Sequence, residues 1–150
     1  MTAAKSTAEI TLKLKRTFAA PREKVFRAWT DPNELKKWWR VQDDWAIPIA
    51  EVDLRIGGKY RLGMQSPDGT TPYVVGGIYR EVKFPEKLVY TWKWEGSEEA
   101  ETLVTVVFRE LGGDSTQVEL THERFATKEA RDKHNEGWKG CLAQLEKLFT

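Results

Sequence analysis

Residues 127–149 read TKEARDKHNEGWKGCLAQLEKLF, and the spacing of their apolar positions decides the architecture. His134, Trp138, Cys141, Leu142, Leu145, Leu148 and Phe149 recur at steps of three and four. That places them along one stripe of an α-helix about six turns long. Glu136, Lys139, Glu146 and Lys147 fall on the wet face, and Thr127 stands where an N-cap belongs. Gly137 and Gly140 interrupt the helical run, each at a cost of about 1 kcal/mol against Ala. Close approach of a neighbouring backbone would offset that cost; simple tolerance is the alternative.

The stripe must be covered, and the residues upstream supply strands. Gln117–Glu123 and Thr102–Leu111 flank a turn at Gly112-Gly113-Asp114. Leu88, Tyr90, Trp92 and Trp94 alternate with Val89, Thr91 and Lys93 after a turn at Pro85-Glu86. Tyr73–Val82 carries Gly76-Gly77 in its interior, which predicts a bulge or bend there. Tyr60, Leu62 and Met64 end at Ser66-Pro67-Asp68-Gly69. From Ile49, the alternation of Val52, Leu54 and Ile56 with Glu51, Asp53 and Arg55 predicts a strand that Gly57-Gly58 stops. These six consecutive runs, joined by short connections, form an antiparallel meander.

The N-terminal part adds one strand, Ile10–Phe18, and two short helices. Lys13 and Lys15 alternate with Leu12 and Leu14, so the basic run reads as a solvated strand face and not as a polyanion site. Pro21 opens a helix carrying Val25, Phe26 and Trp29 and ending near Thr30. Asp31-Pro32-Asn33-Glu34 resembles a capping box and starts a second, with Leu35, Trp38 and Trp39. The fold class is α+β: a strand, two short helices, a six-strand antiparallel meander and a long C-terminal helix across a curved sheet. Met1–Glu9 is expected to be a flexible N-terminus and residues 10–150 a single domain.

Composition narrows the function. Lys and Arg total 24 against 23 Asp and Glu, so no overall field favours nucleic acid or an anionic membrane. No apolar run reaches the roughly 20 residues of a membrane span, and Met1–Glu9 lacks a signal-peptide core. A single cysteine fits a reducing compartment; the expectation is a cytoplasmic protein. Two histidines and one cysteine give no tetrahedral metal set. No phosphate loop, dinucleotide fingerprint or nucleophile elbow occurs, so neither metal nor cofactor is expected.

Seven tryptophans point to an aromatic interior, either filling it or lining a pocket. Strand parity turns Tyr60, Met64, Tyr90, Trp92 and Trp94 toward the helix, together with Val118, Leu120 and His122. The helix offers Trp138, Cys141, Leu142 and Leu145, while Trp39 and Trp45 are placed to close a mouth. These are the expected ligand-binding residues. Parity leaves Tyr73–Val82 open: either Tyr79 and Glu81 or Ile78 and Arg80 face inward. His122 with Glu81 is a conceivable general base, with Tyr79 a further polar candidate; the alternative is a hydrogen-bonded histidine at a strand end. Cys141 reads as a small core residue.

Several motifs carry a family resemblance. Residues 52–60 (VDLRIGGKY), 77–82 (GIYREV), 88–92 (LVYTW), 101–106 (ETLVTV), 120–123 (LTHE) and Gly137-Trp138 resemble the family named for the activator of Hsp90 ATPase. That family is a branch of the START-like helix-grip superfamily, which also holds polyketide cyclases and pollen-allergen relatives. The resemblance spans nearly the whole chain, from about Ile10 to Phe149. It implies the helix-grip fold and a cavity for a small hydrophobic or amphipathic molecule. It also raises two alternatives: an enzyme of the polyketide cyclase or dehydratase type, and an interaction module for a chaperone. No separate N-terminal domain precedes the domain, so activation of the ATPase is not expected.

Overall fold

The computed structural model describes residues 10–149; the expectation for Met1–Glu9 lies outside them. The order is β1 (Leu12–Phe18), α1 (Arg22–Thr30), α2 (Pro32–Trp38), β2 (Ala46–Val52), β3 (Lys59–Gln65), β4 (Tyr73–Lys83), β5 (Lys87–Trp94), β6 (Thr102–Glu110), β7 (Thr116–Glu123) and α3 (Lys128–Leu148). The strands form one seven-stranded antiparallel sheet in the order β1-β7-β6-β5-β4-β3-β2. The sheet curves, and its concave face grips α3: a helix-grip architecture.

Register explains the core. Leu14, Leu120, Val106, Leu88 and Val82 are successive partners across five strands, and Leu12, His122, Val104, Tyr90 and Tyr79 form the neighbouring row. Side chains of one row share a face, so both rows meet Trp138, Leu142 and Leu145 of α3 in a single core. The short helices add Phe26, Trp29 and Trp38: Phe26 and Trp29 set their rings against Phe108 of β6, and Trp38 packs on Trp29. Neither helix is long enough to persist alone; packing holds them.

The caps follow the sequence. Thr127 accepts a hydrogen bond from the Ala130 N–H and Asp31 accepts one from Asn33, with Pro32 in the first turn of α2. Pro21 occupies the N-cap of α1.

Three expectations change. β2 ends at Val52, and Leu54 and Ile56 are exposed. After Val52 the Asp53 N–H bonds back to the Lys59 carbonyl, and Gly57 takes a left-handed φ of 84°, so the chain turns where alternation suggested it ran straight. β2 also starts earlier, at Ala46, and tolerates Pro48 because it is an edge strand. The β4 bulge falls between Tyr79 and Glu81, not at the glycine pair. Gly77 serves close approach instead: a Cβ there would overlap the Thr91 carbonyl.

Candidate functional site

Where α3 crosses the far end of the sheet, it does not fill the concavity. A cavity of about 760 Å³ opens between α3, the ends of β3, β4 and β5, and the segment after α2. Two glycines set the spacing. At Gly140 a Cβ would come within 2.6 Å of the Val41 carbonyl oxygen, so the missing side chain lets α3 seat against the post-α2 segment. Gly137 has open space where its Cβ would be and lines the cavity.

The walls are mainly apolar: Trp39, Met64, Val74, Trp92, Trp138 and Cys141. At the rim Trp45 stacks on the exposed Tyr73, with ring centroids 6.0 Å apart at 20°. Glu95, Ser97, Glu99 and Lys133 bring polar atoms to the same rim. The Arg61 guanidinium grips the Glu95 carboxylate at 2.6 and 3.0 Å, and this hydrogen bonding holds its pKa below the usual carboxylate value. Burial pushes the Cys141 thiol up to about 12, so it stays protonated.

Behind the wall runs a directed hydrogen-bond chain. Trp138 Nε1–H donates to His122 Nδ1 at 3.1 Å. That nitrogen must therefore be the bare one, and Nε2–H donates to Thr102 Oγ1 at 2.7 Å. The Thr102 hydroxyl in turn donates to the Trp92 carbonyl at 3.2 Å. Desolvation, then the proximity of His134, lowers the His122 pKa to about 2. His134 adopts the opposite tautomer: Nδ1–H donates to the Ala130 carbonyl at 2.7 Å, and Nε2 accepts from Trp94 Nε1–H at 2.9 Å. Both imidazoles are neutral, with both nitrogens engaged.

The expected residues divide into two groups. Trp39, Trp45, Met64, Trp92, Trp94, Trp138 and Cys141 line the cavity. Tyr60 and Tyr90 instead border a separate hollow of about 10 Å³ beneath Trp29, room for about one water. Tyr60 Oη donates to the Thr91 carbonyl at 2.5 Å, and Trp29 Nε1–H donates to Tyr90 Oη at 3.2 Å. Val118, Leu120, Leu142 and Leu145 face inward but are closed within the core. His122 is fully buried behind Trp138.

The conceivable catalytic set does not assemble. The bulge turns Glu81 outward, where Lys83 and Lys87 pair with it at 3.4 and 3.6 Å. Tyr79 faces inward, three strand spacings from His122 in the same row, about 14 Å away at ~4.8 Å per strand. Several lining residues escaped the sequence reading, notably Val41, Tyr73, Val74 and His134. His134 was findable, since it sits one helical turn before Trp138 on the stripe. Val41 had no such signal, because a loop's path is not periodic, and Tyr73 opens β4, where parity leaves the facing of the strand undecided.

Among the described residues no group of three His, Cys, Asp or Glu side chains is placed to hold a metal, and no helix is long and apolar enough to cross a membrane.

Solved structures share this fold over nearly the whole chain. A protein of Chromobacterium violaceum superposes with a TM-score of 0.83 at 26% identity, covering 93% of this chain and 96% of its own. A Nitrosomonas europaea protein gives 0.78 at 30% identity, with 95% of each chain covered. An HSP90 activator from Plasmodium falciparum gives 0.71 at 26% identity, covering 92% of this chain and 94% of its own. No curated protein matches. The family model described as "Activator of Hsp90 ATPase homolog 1-like protein" matches residues 19–150. With that match over most of its length and the helix-grip fold throughout, the chain belongs to the family of activator of Hsp90 ATPase homolog 1-like proteins.

Proposed function

We propose that this protein binds a small hydrophobic or amphipathic molecule in the cavity between the curved sheet and α3. One observation carries the reading: about 760 Å³ of space walled by tryptophan, methionine and valine between α3 and the sheet. That volume falls in the range of about 300–1,000 Å³ typical of ligand pockets. Apolar walls with polar groups confined to the rim suit a guest that buries a flat or aliphatic body and keeps a polar end near water. The placement of Glu81 outside and His122 behind Trp138 gives no support to the cyclase or dehydratase alternative. A cytoplasmic location accompanies the reading.

The neutral fluorescent probe N-phenyl-1-naphthylamine tests it. Its emission should rise on binding at one equivalent, and Gly137→Leu, which puts a side chain into the open space beside α3, should abolish that rise while circular dichroism stays unchanged. Absence of binding to the wild type, or equal binding to the filled variant, would remove the reading.

A second reading, a chaperone-interaction module, is supported by the family description and by the Plasmodium falciparum relative. It expects a stoichiometric complex with an Hsp90-type chaperone that Gly137→Leu leaves intact.

A further inference from the structure

Tryptophan N–H groups in this interior are generally paired. Trp29 donates to Tyr90 Oη, Trp38 to the Ala28 carbonyl, Trp94 to His134 and Trp138 to His122. Trp92 differs. The residue is 4% exposed, and its Nε1 is a buried donor with no acceptor among the described residues. A buried donor left unpaired is costly and uncommon, so its place in the molecule matters.

That place is the cavity wall. Trp92 borders both the large cavity and a neighbouring hollow of about 90 Å³. Its ring lies within 6.3 Å of the rings of Trp39, Trp94, His122, His134 and Trp138. None of these neighbours has an acceptor to spare for it: His122 Nδ1 and His134 Nε2 already accept from Trp138 and Trp94. The terminal torsion of a tryptophan side chain is broad, and pairing this buried N–H from the cavity requires the swing that turns it toward the space the residue borders.

We propose that the Trp92 N–H is the polar anchor of the cavity and takes a neutral acceptor oxygen, a carbonyl or hydroxyl, from the bound molecule. The inference rests on the cavity being a binding site and names the chemistry of its guest. A hydrocarbon of the same shape would leave the donor unpaired. A carboxylate at Trp92 would have to shed its water beside a neutral imidazole and a protonated thiol, with the exposed Lys133 at the rim of the cavity, and one neutral donor does not offset that loss. A neutral oxygen fits both conditions.

The test compares 9-fluorenone with fluorene, two flat neutral molecules differing by one carbonyl oxygen. Calorimetry on the wild-type protein should show the ketone binding about tenfold more tightly, one hydrogen bond's difference. The assigned Trp92 indole ¹H–¹⁵N resonance should move downfield with the ketone and stay nearly still with the hydrocarbon. Trp92→Phe should lose the preference for the ketone over fluorene, the ratio being the readout because the smaller ring also changes the wall that both compounds touch; if that variant does not fold, the wild-type resonance still decides. Equal affinities with a stationary Trp92 resonance, or a preference that survives Trp92→Phe, would overturn the anchor and leave the cavity's binding role standing. Failure of both compounds together with N-phenyl-1-naphthylamine would instead overturn the binding role, and the anchor with it.

Discussion

The Trp138 indole N–H donates to His122 Nδ1 at 3.1 Å, so the only tautomer that satisfies both nitrogens of this buried imidazole is the neutral Nε2–H form. Protonation would set two N–H groups against each other. The unfolded chain binds a proton at this histidine below about pH 6.5, whereas the folded chain resists it down to about 2. The folded state therefore holds fewer protons through that window. Stability is flat above about pH 6.5 as far as this group is concerned and falls as pH drops below it, by up to about 1.4 kcal/mol per unit. Burial lowers His134 in the same direction. Urea unfolding at pH 7.5 and 5.5 separates the two: His122→Phe should cost about 2 kcal/mol at pH 7.5 by stranding the Trp138 N–H, yet lose less on acidification than the wild type. Parallel losses would show that His122 does not carry the slope.

The two glycines of α3 should respond oppositely to the same methyl group. Gly137→Ala puts its Cβ into open space and gains helix propensity, so stability should rise by up to about 1 kcal/mol. Gly140→Ala drives a Cβ to 2.6 Å from the Val41 carbonyl oxygen, a backbone atom that cannot swing aside. A net loss of about 1–3 kcal/mol is expected, as for overpacking. Thermal unfolding of the two variants checks both signs, and a stabilised Gly140→Ala would mean that α3 does not seat there.

Most of the fold was readable because it rests on local periodicity. The alternation in β5 and the stripe of α3 each named a face, and the N-caps at Thr127 and Asp31 are short-range chemistry. The cavity was readable only in part, because facing inward and facing a void are different properties. Leu120 and Trp92 both point into the concavity, but Leu120 meets the core and Trp92 meets space. Which one happens depends on where α3, which starts at Lys128, comes to rest over the sheet. Leu54 and Ile56 misled because alternation continues past the residue at which the backbone turns. Glu81 was undecidable from parity, since a one-residue bulge reverses the facing beyond it.

Core and cavity wall should also separate by mutation. Leu145 is fully buried on the core face of α3 and does not line the cavity, so Leu145→Ala should cost about 2–5 kcal/mol and leave probe affinity nearly unchanged in the folded protein. Trp45 stacks on Tyr73 at the rim, half-buried. Trp45→Ala should cost about 1 kcal/mol but weaken N-phenyl-1-naphthylamine binding several-fold. Chemical denaturation beside a fluorescence titration gives both quantities, and a probe affinity that follows Leu145 in place of Trp45 would put the binding site elsewhere.

Cys141 offers a reporter inside the wall. It is the only cysteine, it lines the cavity, and burial raises its pKa from 9.0 to about 12. Because the thiolate is the reactive form, this burial leaves very little of it at pH 8. Ellman's reagent, which is bulky and charged, should label the native protein only at the rate at which it opens, and fully in urea. Methyl methanethiosulfonate is small and neutral and can use the cavity itself, so its slower-than-free reaction should be slowed further by saturating N-phenyl-1-naphthylamine. Gly137→Leu should slow it without any probe, because the added side chain occupies the approach to the sulfur along the same face of α3. Labelling indifferent to both would mean that the reagent reaches Cys141 by global opening, and that the space beside it is not the route by which small molecules enter.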